Sequence, residues 1–409
     1  MRIGIFTDTY PPFINGVSTS IVNLEKALRS QGHEVFIVTV NPENMSYRFE
    51  EDERIIRIPG IPIGIYDYRL TGIYPLRSIN KIKNWNLDII HSHTEFGIGT
   101  YARILAKQFD IPLVHTYHTM YEDYVHYITK GHFDRSSKKI VEYLTMFYCD
   151  KTAKQLIVPS KKTYKLFKEK YNIEKDVRIV PTGIEVSRFY KEQFKENEID
   201  EIRKELKISK DDFVVMFVGR LAEEKNLEFL LEAEEELAKK HKNVKLLIVG
   251  SGPDYEKFIE WTMNKKLEKN IIFTNAIPWE EIPKYYQLAS VFATASKTET
   301  QGLTVIEAMS ASIPVVCYKD DAFLDIVEDN INGRVFETKE EYIKIIEELL
   351  NAPKKIETLS KQARFTAEKH SLEHYAIDIL NVYKECLKKD NPKPKLTTRL
   401  KNKLTRKKN

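Results

Sequence analysis

Apolar residues in this chain gather in short runs, and between the runs they recur at the three-to-four spacing of an amphipathic helix. In the first half the runs fall at residues 2–7, 34–40, 54–58, 87–91, 112–116, 155–158 and 177–180, and the clearest helical patterns at 17–30 and 101–109. The second half repeats the plan, with runs at 213–218, 244–249, 271–274, 291–293 and 314–317. Alternation of this kind predicts an α/β fold with parallel sheets covered by helices on both faces, here two doubly wound domains in series. Pro181-Thr182-Gly183-Ile184 interrupts the pattern where the first sheet finishes, which places a hinge there and divides the chain into residues 1–182 and 183–369. Open parallel sheets bind ligands beyond their strand C-termini, so two such domains facing each other would form a site in the cleft between them.

Composition agrees with this plan. A chain of 409 residues exceeds a comfortable single core, and 42% hydrophobic with 30% charged residues describes a globular protein. The net charge of +4 hides an asymmetry: from Lys388 to Asn409 there are ten Lys/Arg and one Asp, so a strongly basic tail follows a mildly acidic body. Cys149, Cys317 and Cys386 stand at unrelated spacings, which suggests neither a disulfide framework nor a metal knuckle and fits a reducing cytoplasm. The first residues meet Asp8 before a signal-length apolar run can form, and no stretch approaches ~20 consecutive apolar residues. Contact with lipid is therefore expected from the surface.

Candidate chemistry centres on residues 296–310, SKTETQGLTVIEAMS. A helical pattern starts at Gly302, so the backbone N–H groups of Gln301, Gly302 and Leu303 would point outward and favour an anion, with phosphate the natural guest. Glu299 and Glu307 would flank that guest as acceptors for hydroxyl groups. A phosphate between hydroxyl-bearing groups is a sugar nucleotide. In the first domain Asn15-Gly16-Val17 opens a helix after the first strand, either for close approach to an anion or as a plain helix entry. The strand at 213–218 ends in Gly219-Arg220, with Lys225 five residues beyond Arg220, giving two cations suited to diphosphate oxygens. Gly250-Ser251-Gly252-Pro253 closes the next strand and shapes the same rim.

Six of the ten histidines lie between His91 and His132, spread over several elements without a cysteine or a His-Glu signature, so zinc is not the expected guest. His118, just past a strand end, is placed to hydrogen-bond a sugar hydroxyl or orient an acceptor. There is no G-x-G-x-x-G after the first strand, against a dinucleotide oxidoreductase, and no Asp-x-Asp for a divalent ion. Arg220, Lys225 and helix N-termini would carry the leaving-group charge instead, with no metal or other cofactor.

Taken together, Asn15-Gly16-Val17, Pro181-Thr182-Gly183-Ile184-Glu185, Gly219-Arg220 with Lys225-Asn226, and Glu299 with Glu307-Ala308-Met309 resemble the retaining glycosyltransferases of family 4. The resemblance covers residues 1–387 and implies the GT-B fold, two Rossmann-like domains across a central cleft. More narrowly, residues 115–128, which contain His118, Tyr121 and Tyr124, and the run Glu299-Thr300-Gln301-Gly302-Leu303-Thr304 look like the bacterial diacylglycerol glucosyltransferases. That likeness implies UDP-glucose as donor and diacylglycerol as acceptor. Arg220 and Lys225 would bind the diphosphate and Gly16 would approach it from the first domain. Glu307 would hold the ribose, Glu299 with the backbone of 300–303 the hexose, and His118 would line the hexose and acceptor site. Where the wider family has an aromatic-glycine pair, this chain has Thr300-Gln301-Gly302, which leaves glucose against galactose open. The final helix, 370–387, would cross back to the first domain. With no nucleophile evident beside His118, transfer would be a same-face substitution.

The membrane side of this reading rests on two segments. Leu396, Leu400 and Leu404 recur among Lys395, Arg399 and Lys403 in the tail of residues 388–409. Each base near an anionic leaflet contributes ~1 kcal/mol, enough together for reversible docking on anionic lipids, although a disordered tail satisfies the same composition. Residues 61–77, with Tyr66 and Arg69, mix bulky apolar and basic residues and form either a lipid-facing loop or core around a helix entry. The expected location is the cytoplasmic face of the cell membrane, peripherally. Three other activities remain open: a family 4 transferase acting on a polysaccharide, phosphatidylinositol or a small sugar; a sugar-nucleotide epimerase; and nucleic-acid binding by the tail. The tail has no aromatics for base stacking, so no nucleic-acid partner is expected.

Overall fold

The computed structural model describes residues 1–13, 15–62, 69–95, 97–120, 139 and 142–388. Among these residues ten strands precede the hinge: β1 (Arg2–Phe6), β2 (Glu34–Val40), β3 (Arg48–Glu50), β4 (Ile55–Ile58), β5 (Gly60–Pro62), β6 (Arg69–Thr71), β7 (Ile89–Ser92), β8 (Leu113–Thr116), β9 (Gln155–Val158) and β10 (Val177–Ile179). Eight of them form one sheet in the order β10-β9-β8-β7-β1-β2-β4-β3, parallel except where β3 runs against β4, and β5 and β6 make a separate hairpin. After the hinge come β11 (Phe213–Val218), β12 (Val244–Val249), β13 (Ile271–Phe273), β14 (Val291–Thr294), β15 (Val315–Tyr318) and β16 (Gly333–Phe336). They form a second, wholly parallel sheet in the order β13-β12-β11-β14-β15-β16.

Side-chain alternation explains why each sheet is covered twice. In β11, Val215 and Phe217 enter one core with Leu230, Leu231 and Ile346, while Val214, Met216 and Val218 enter the other with Val305, Ile306 and Met309. In β1, Ile3 and Ile5 pack with Leu24 and Leu28 while Phe6 faces Tyr101 and Leu105. All these strand side chains are buried, which is why they read as continuous apolar runs. The expected α/β, GT-B architecture is what the chain adopts.

The helix Leu372–Leu387 does cross back. Tyr375, Ala376, Ile379, Leu380, Val382, Tyr383 and Cys386 join the core of the first sheet alongside Ile3, Ile5 and Val35. The helix before it, Pro353–Glu368, packs Ala363 and Ala367 on the second sheet. Among the described residues, no helix is long and apolar enough to cross a membrane.

Candidate active site

Each sheet has one topological switch point. From β1 the chain builds outward through β2 on one side and through β7 on the other, and from β11 through β12 on one side and β14 on the other. The crevices at the ends of β1/β7 and β11/β14 are where such sheets take ligands. Contacts across the cleft bring the two rims together. Thr300 Oγ1, after β14, donates to the carbonyl of His118, after β8, at 3.0 Å. Lys162 Nζ donates to the Lys297 carbonyl at 2.9 Å and pairs with Asp320 at 2.7 Å.

On the second-domain rim, Gly302 has φ +80° and caps the helix Leu303–Ser310. A Cβ there would also lie 2.7 Å from the Phe323 ring, so conformation and space both call for glycine. The first turn of that helix holds the outward N–H groups expected to meet an anion. Glu299 pairs with Lys225 Nζ at 2.5 Å. Burial pushes the Glu299 carboxyl up, but the Lys225 ammonium, a Ser296 hydrogen bond and the charge of Lys162 together hold the group below its ordinary value. Arg220 pairs with Glu224. Both cations expected to meet a diphosphate therefore stand beside carboxylates, with Glu299 locating the ammonium near the helix start. Glu307 accepts from the Tyr286 hydroxyl at 2.8 Å, and burial raises its pKa against the pull of Arg188. Arg188 lies over the Trp279 ring at 3.4 Å. Gly250 shapes the rim: a Cβ would stand 2.0 Å from the Gly219 carbonyl oxygen, where the loops after β11 and β12 touch.

On the first-domain rim, Gly16 starts the helix Gly16–Ser30 behind an Asn15 cap that accepts from the Ser18 N–H at 2.9 Å. Gly16 is exposed, and among the described residues no atom beyond its chain neighbours and its own helix backbone lies within 4 Å of where its Cβ would be. Internal packing does not require glycine there. His118 meets His93 ring to ring, Nε2 to Nδ1 at 2.8 Å, and His93 lies tilted by 37° against His91 with 4.1 Å between centroids. Burial lowers His118 to about 4 despite the opposing charge of Glu95, and burial drives His91 and His93 well below their usual value. The trio is neutral at physiological pH and suited to hydrogen bonding rather than charge. Among the described residues, His93 Nε2 is buried without a hydrogen-bond partner.

The histidine region does contain a cysteine, contrary to expectation: β7, β8 and the segment at 147–151 bring Glu95, His115 and Cys149 together, their potential ligand atoms within 4.8 Å. Both nitrogens of His115 are already engaged, Nε2 with Glu95 at 2.9 Å and Nδ1 with the Ser92 carbonyl at 3.0 Å. Cys149 stands far from the histidines in sequence, so spacing gave no signal of it.

Thr300, Gly302, Leu303, Thr304, Glu299 and Glu307 share the second-domain rim with Gly219, Arg220 and Lys225, and His118 faces them. Gln301 differs. Its amide is 4% exposed and holds the hinge, accepting from the Thr182 N–H at 2.8 Å and donating to the Thr182 carbonyl at 2.9 Å. Only its backbone is left for a ligand. Arg69 turns back on its own hairpin, donating to the Gly60 carbonyl at 2.9 Å. Tyr66, Tyr121, Tyr124, Lys395, Arg399 and Lys403 lie outside the described residues. Lys162, Arg188 and Tyr286 were not anticipated, since each lies in a segment with no motif of its own.

Residues 14–188 match the family described as Glycosyltransferase Family 4, and residues 198–366 the family described as Glycosyl transferases group 1. The chain is 37% identical over 400 residues to the alpha-monoglucosyldiacylglycerol synthase of Acholeplasma laidlawii, covering 96% of this chain and 99% of that one. It belongs to the family 4 glycosyltransferases. A second alpha-monoglucosyldiacylglycerol synthase, from Streptococcus pneumoniae, is 36% identical over 337 residues, 82% of this chain and 75% of its own. Among solved structures, Anabaena HepE in complex with UDP superposes with a TM-score of 0.71 at 17% identity, over 94% of this chain and 100% of that one. Sucrose-phosphate synthase of Thermosynechococcus elongatus superposes with a TM-score of 0.73 at 19% identity, over 94% and 98%. These likenesses establish the GT-B fold of this glycosyltransferase.

Proposed function

We propose that this glycosyltransferase moves glucose from UDP-glucose to the 3-hydroxyl of a diacylglycerol at a membrane surface, with retention and without a metal ion. The observation that carries the reading is the similarity to two alpha-monoglucosyldiacylglycerol synthases, the first running nearly end to end. Retention follows from pairing the α product in those names with the α configuration of glucose in UDP-glucose. On the donor side, the start of the helix Leu303–Ser310, Lys225 and Arg220 receive the pyrophosphate and stabilise the charge that develops as UDP departs. Incoming phosphate competes with Glu299 for Lys225, and the released carboxylate takes hexose hydroxyls. Glu307, fixed by Tyr286, takes the ribose. His118, neutral, hydrogen-bonds the hexose or the acceptor. Its low basicity makes it a poor proton sink, so the leaving phosphate oxygen takes the acceptor's proton on the face where the hexose was bound.

The acceptor is a lipid, and the first domain carries an apolar surface to match. Ile61 and Leu70 pair across the β5/β6 hairpin and are 55% and 56% exposed. Ile73 and Leu76, just beyond, are 60% and 71% exposed, with Arg77 and Lys83 nearby. Apolar side chains grouped among bases suit an anionic bilayer surface. The test is an assay in mixed micelles of diacylglycerol with UDP-glucose, UDP-galactose or GDP-mannose, with and without EDTA. Transfer of α-glucose unaffected by EDTA is expected. Glucose transfer to a soluble sugar with none to diacylglycerol, or turnover abolished by EDTA and restored by Mg²⁺, would overturn the corresponding part. Removing residues 389–409 separates the tail from the apolar surface as the source of binding to anionic vesicles.

A further inference from the structure

The two helix starts that face the cleft, at Gly16 and at Gly302, are tied to each other through a single hinge residue. Thr182 Oγ1 meets Ser20 Oγ at 3.0 Å, one turn into the helix that Gly16 opens. The backbone N–H and carbonyl of the same Thr182 are both taken by the Gln301 amide, one residue before Gly302. Tyr375, on the returning helix Leu372–Leu387, adds its hydroxyl to Ser20 and Thr182. Thr182 is 4% exposed and Ser20 2%, so these bonds are shielded from water. Residue by residue the path runs from Gly16 to Ser20, to Thr182, to Gln301, to Gly302.

We propose that Gln301 is a positioning residue that fixes the separation of the two anion-facing helix starts across the cleft. This rests on the reading of the cleft as a UDP-sugar site and deepens it. The chemistry suits that role, since a primary amide both accepts and donates, and so satisfies both backbone polar groups of one residue. Asparagine is too short to reach and glutamate lacks the donor. Because the link is to backbone on the hinge side, any residue at position 182 would be held, but only Thr182 passes the constraint on to Ser20. Gln301 touches no reacting atom. It acts through the place it gives the Thr300–Leu303 backbone and the Gly16 helix.

The experiment compares wild type with Gln301→Met, which keeps the volume and loses both bonds, and with Thr182→Val, which keeps the amide's two backbone bonds and loses the link to Ser20. Initial rates of glucose transfer and calorimetric titrations with UDP are measured on protein shown to be folded by its melting curve. Gln301→Met is expected to lower kcat by ~10- to 10²-fold, the scale of an ångström-sized misplacement. UDP affinity, carried chiefly by Arg220, Lys225 and the Gly302 helix start within the second domain, should fall by a smaller factor than kcat. Thr182→Val should show the same split at smaller size. Wild-type kcat in Gln301→Met, or loss of kcat and UDP affinity in parallel with the folded fraction, would overturn the proposal. Should Gln301→Met not fold, unchanged kcat in Thr182→Val overturns it equally. Failure of wild type to bind UDP would instead overturn the functional reading beneath.

Discussion

Replacing Gly302 with alanine tests whether the helix start at residues 302–303 is the phosphate site. At φ +80°, an alanine costs about 1 to 2 kcal/mol for the left-handed conformation. Its methyl group would stand 2.7 Å from the Phe323 ring, which is 1% exposed and cannot withdraw without disturbing the core around Val305 and Ile306. Overpacking of that kind costs about 1 to 3 kcal/mol. The total, about 2 to 5 kcal/mol, is below the usual 5 to 15 kcal/mol stability of a domain, so the variant should fold and relieve its strain where the chain yields most easily. That place is the loop before the helix. A loop displaced there misdirects the N–H groups of the first turn, and every 1.4 kcal/mol lost from binding is a factor of ten. Calorimetric titration with UDP should therefore show Gly302→Ala binding ~10- to 10³-fold more weakly, together with a lowered melting temperature. A folded variant that binds UDP within twofold of wild type would refute the argument, because the strain would then be absorbed away from the phosphate.

Lys225→Ala removes the ammonium beside Glu299 and should lower kcat at saturating donor by ~10²-fold, the scale of lost charge stabilisation; a near-normal kcat would take Lys225 out of the mechanism. Glu234 is 1% exposed in the helix Leu227–Lys240, its Oε1 has no hydrogen-bond partner among the described residues, and burial pushes its carboxyl up to about 8 from an ordinary 4.5. The folded state thus holds a proton that the unfolded chain releases, so stability falls as pH rises between about 4.5 and 8, by about 3 kcal/mol from pH 5 to 8. Urea unfolding of Glu234→Gln should lack that slope, and equal slopes would show that the carboxyl is not the source. His118 behaves in the opposite sense: burial lowers it to about 4, so the unfolded chain takes up the proton first and stability falls as pH drops from about 6.5 towards 4. The acid limb of kcat/KM assigned to His118 by comparison with His118→Asn should accordingly lie near pH 4, and a limb at 6.5 would contradict its burial.

The sheets were legible because strands buried on both faces must be apolar throughout, and such runs stand out: β11 and β12 were read with the bounds they have. Several short or polar strands were not, although the edge strands β10 and β13 were. β3 is polar and pairs on one side only, β5 and β6 are three residues each, and β16 carries Arg334 in the middle of an edge. Lone edge strands need not be apolar, so no run announced them. Within the site, Gly302, Glu299 and Glu307 could be read from one continuous stretch, since a loop entering a helix fixes their relation locally. The amide of Gln301 could not, because its partner lies 119 residues earlier and hydrogen-bonds through backbone that any residue would supply. The same applies to Lys162 and Asp320, which are 158 residues apart.

The return of the last helix has a practical consequence for anyone taking the molecule apart. Tyr375, Ile379 and Tyr383 complete a layer that begins with Ile3, so a fragment ending at the hinge would strip part of the cover from the core around Ile3 and Ile5. The amino-terminal half is a composite of both chain ends, and chimaeras exchanging donor specificity would have to transplant an internal block up to about Lys369 while keeping both native termini together.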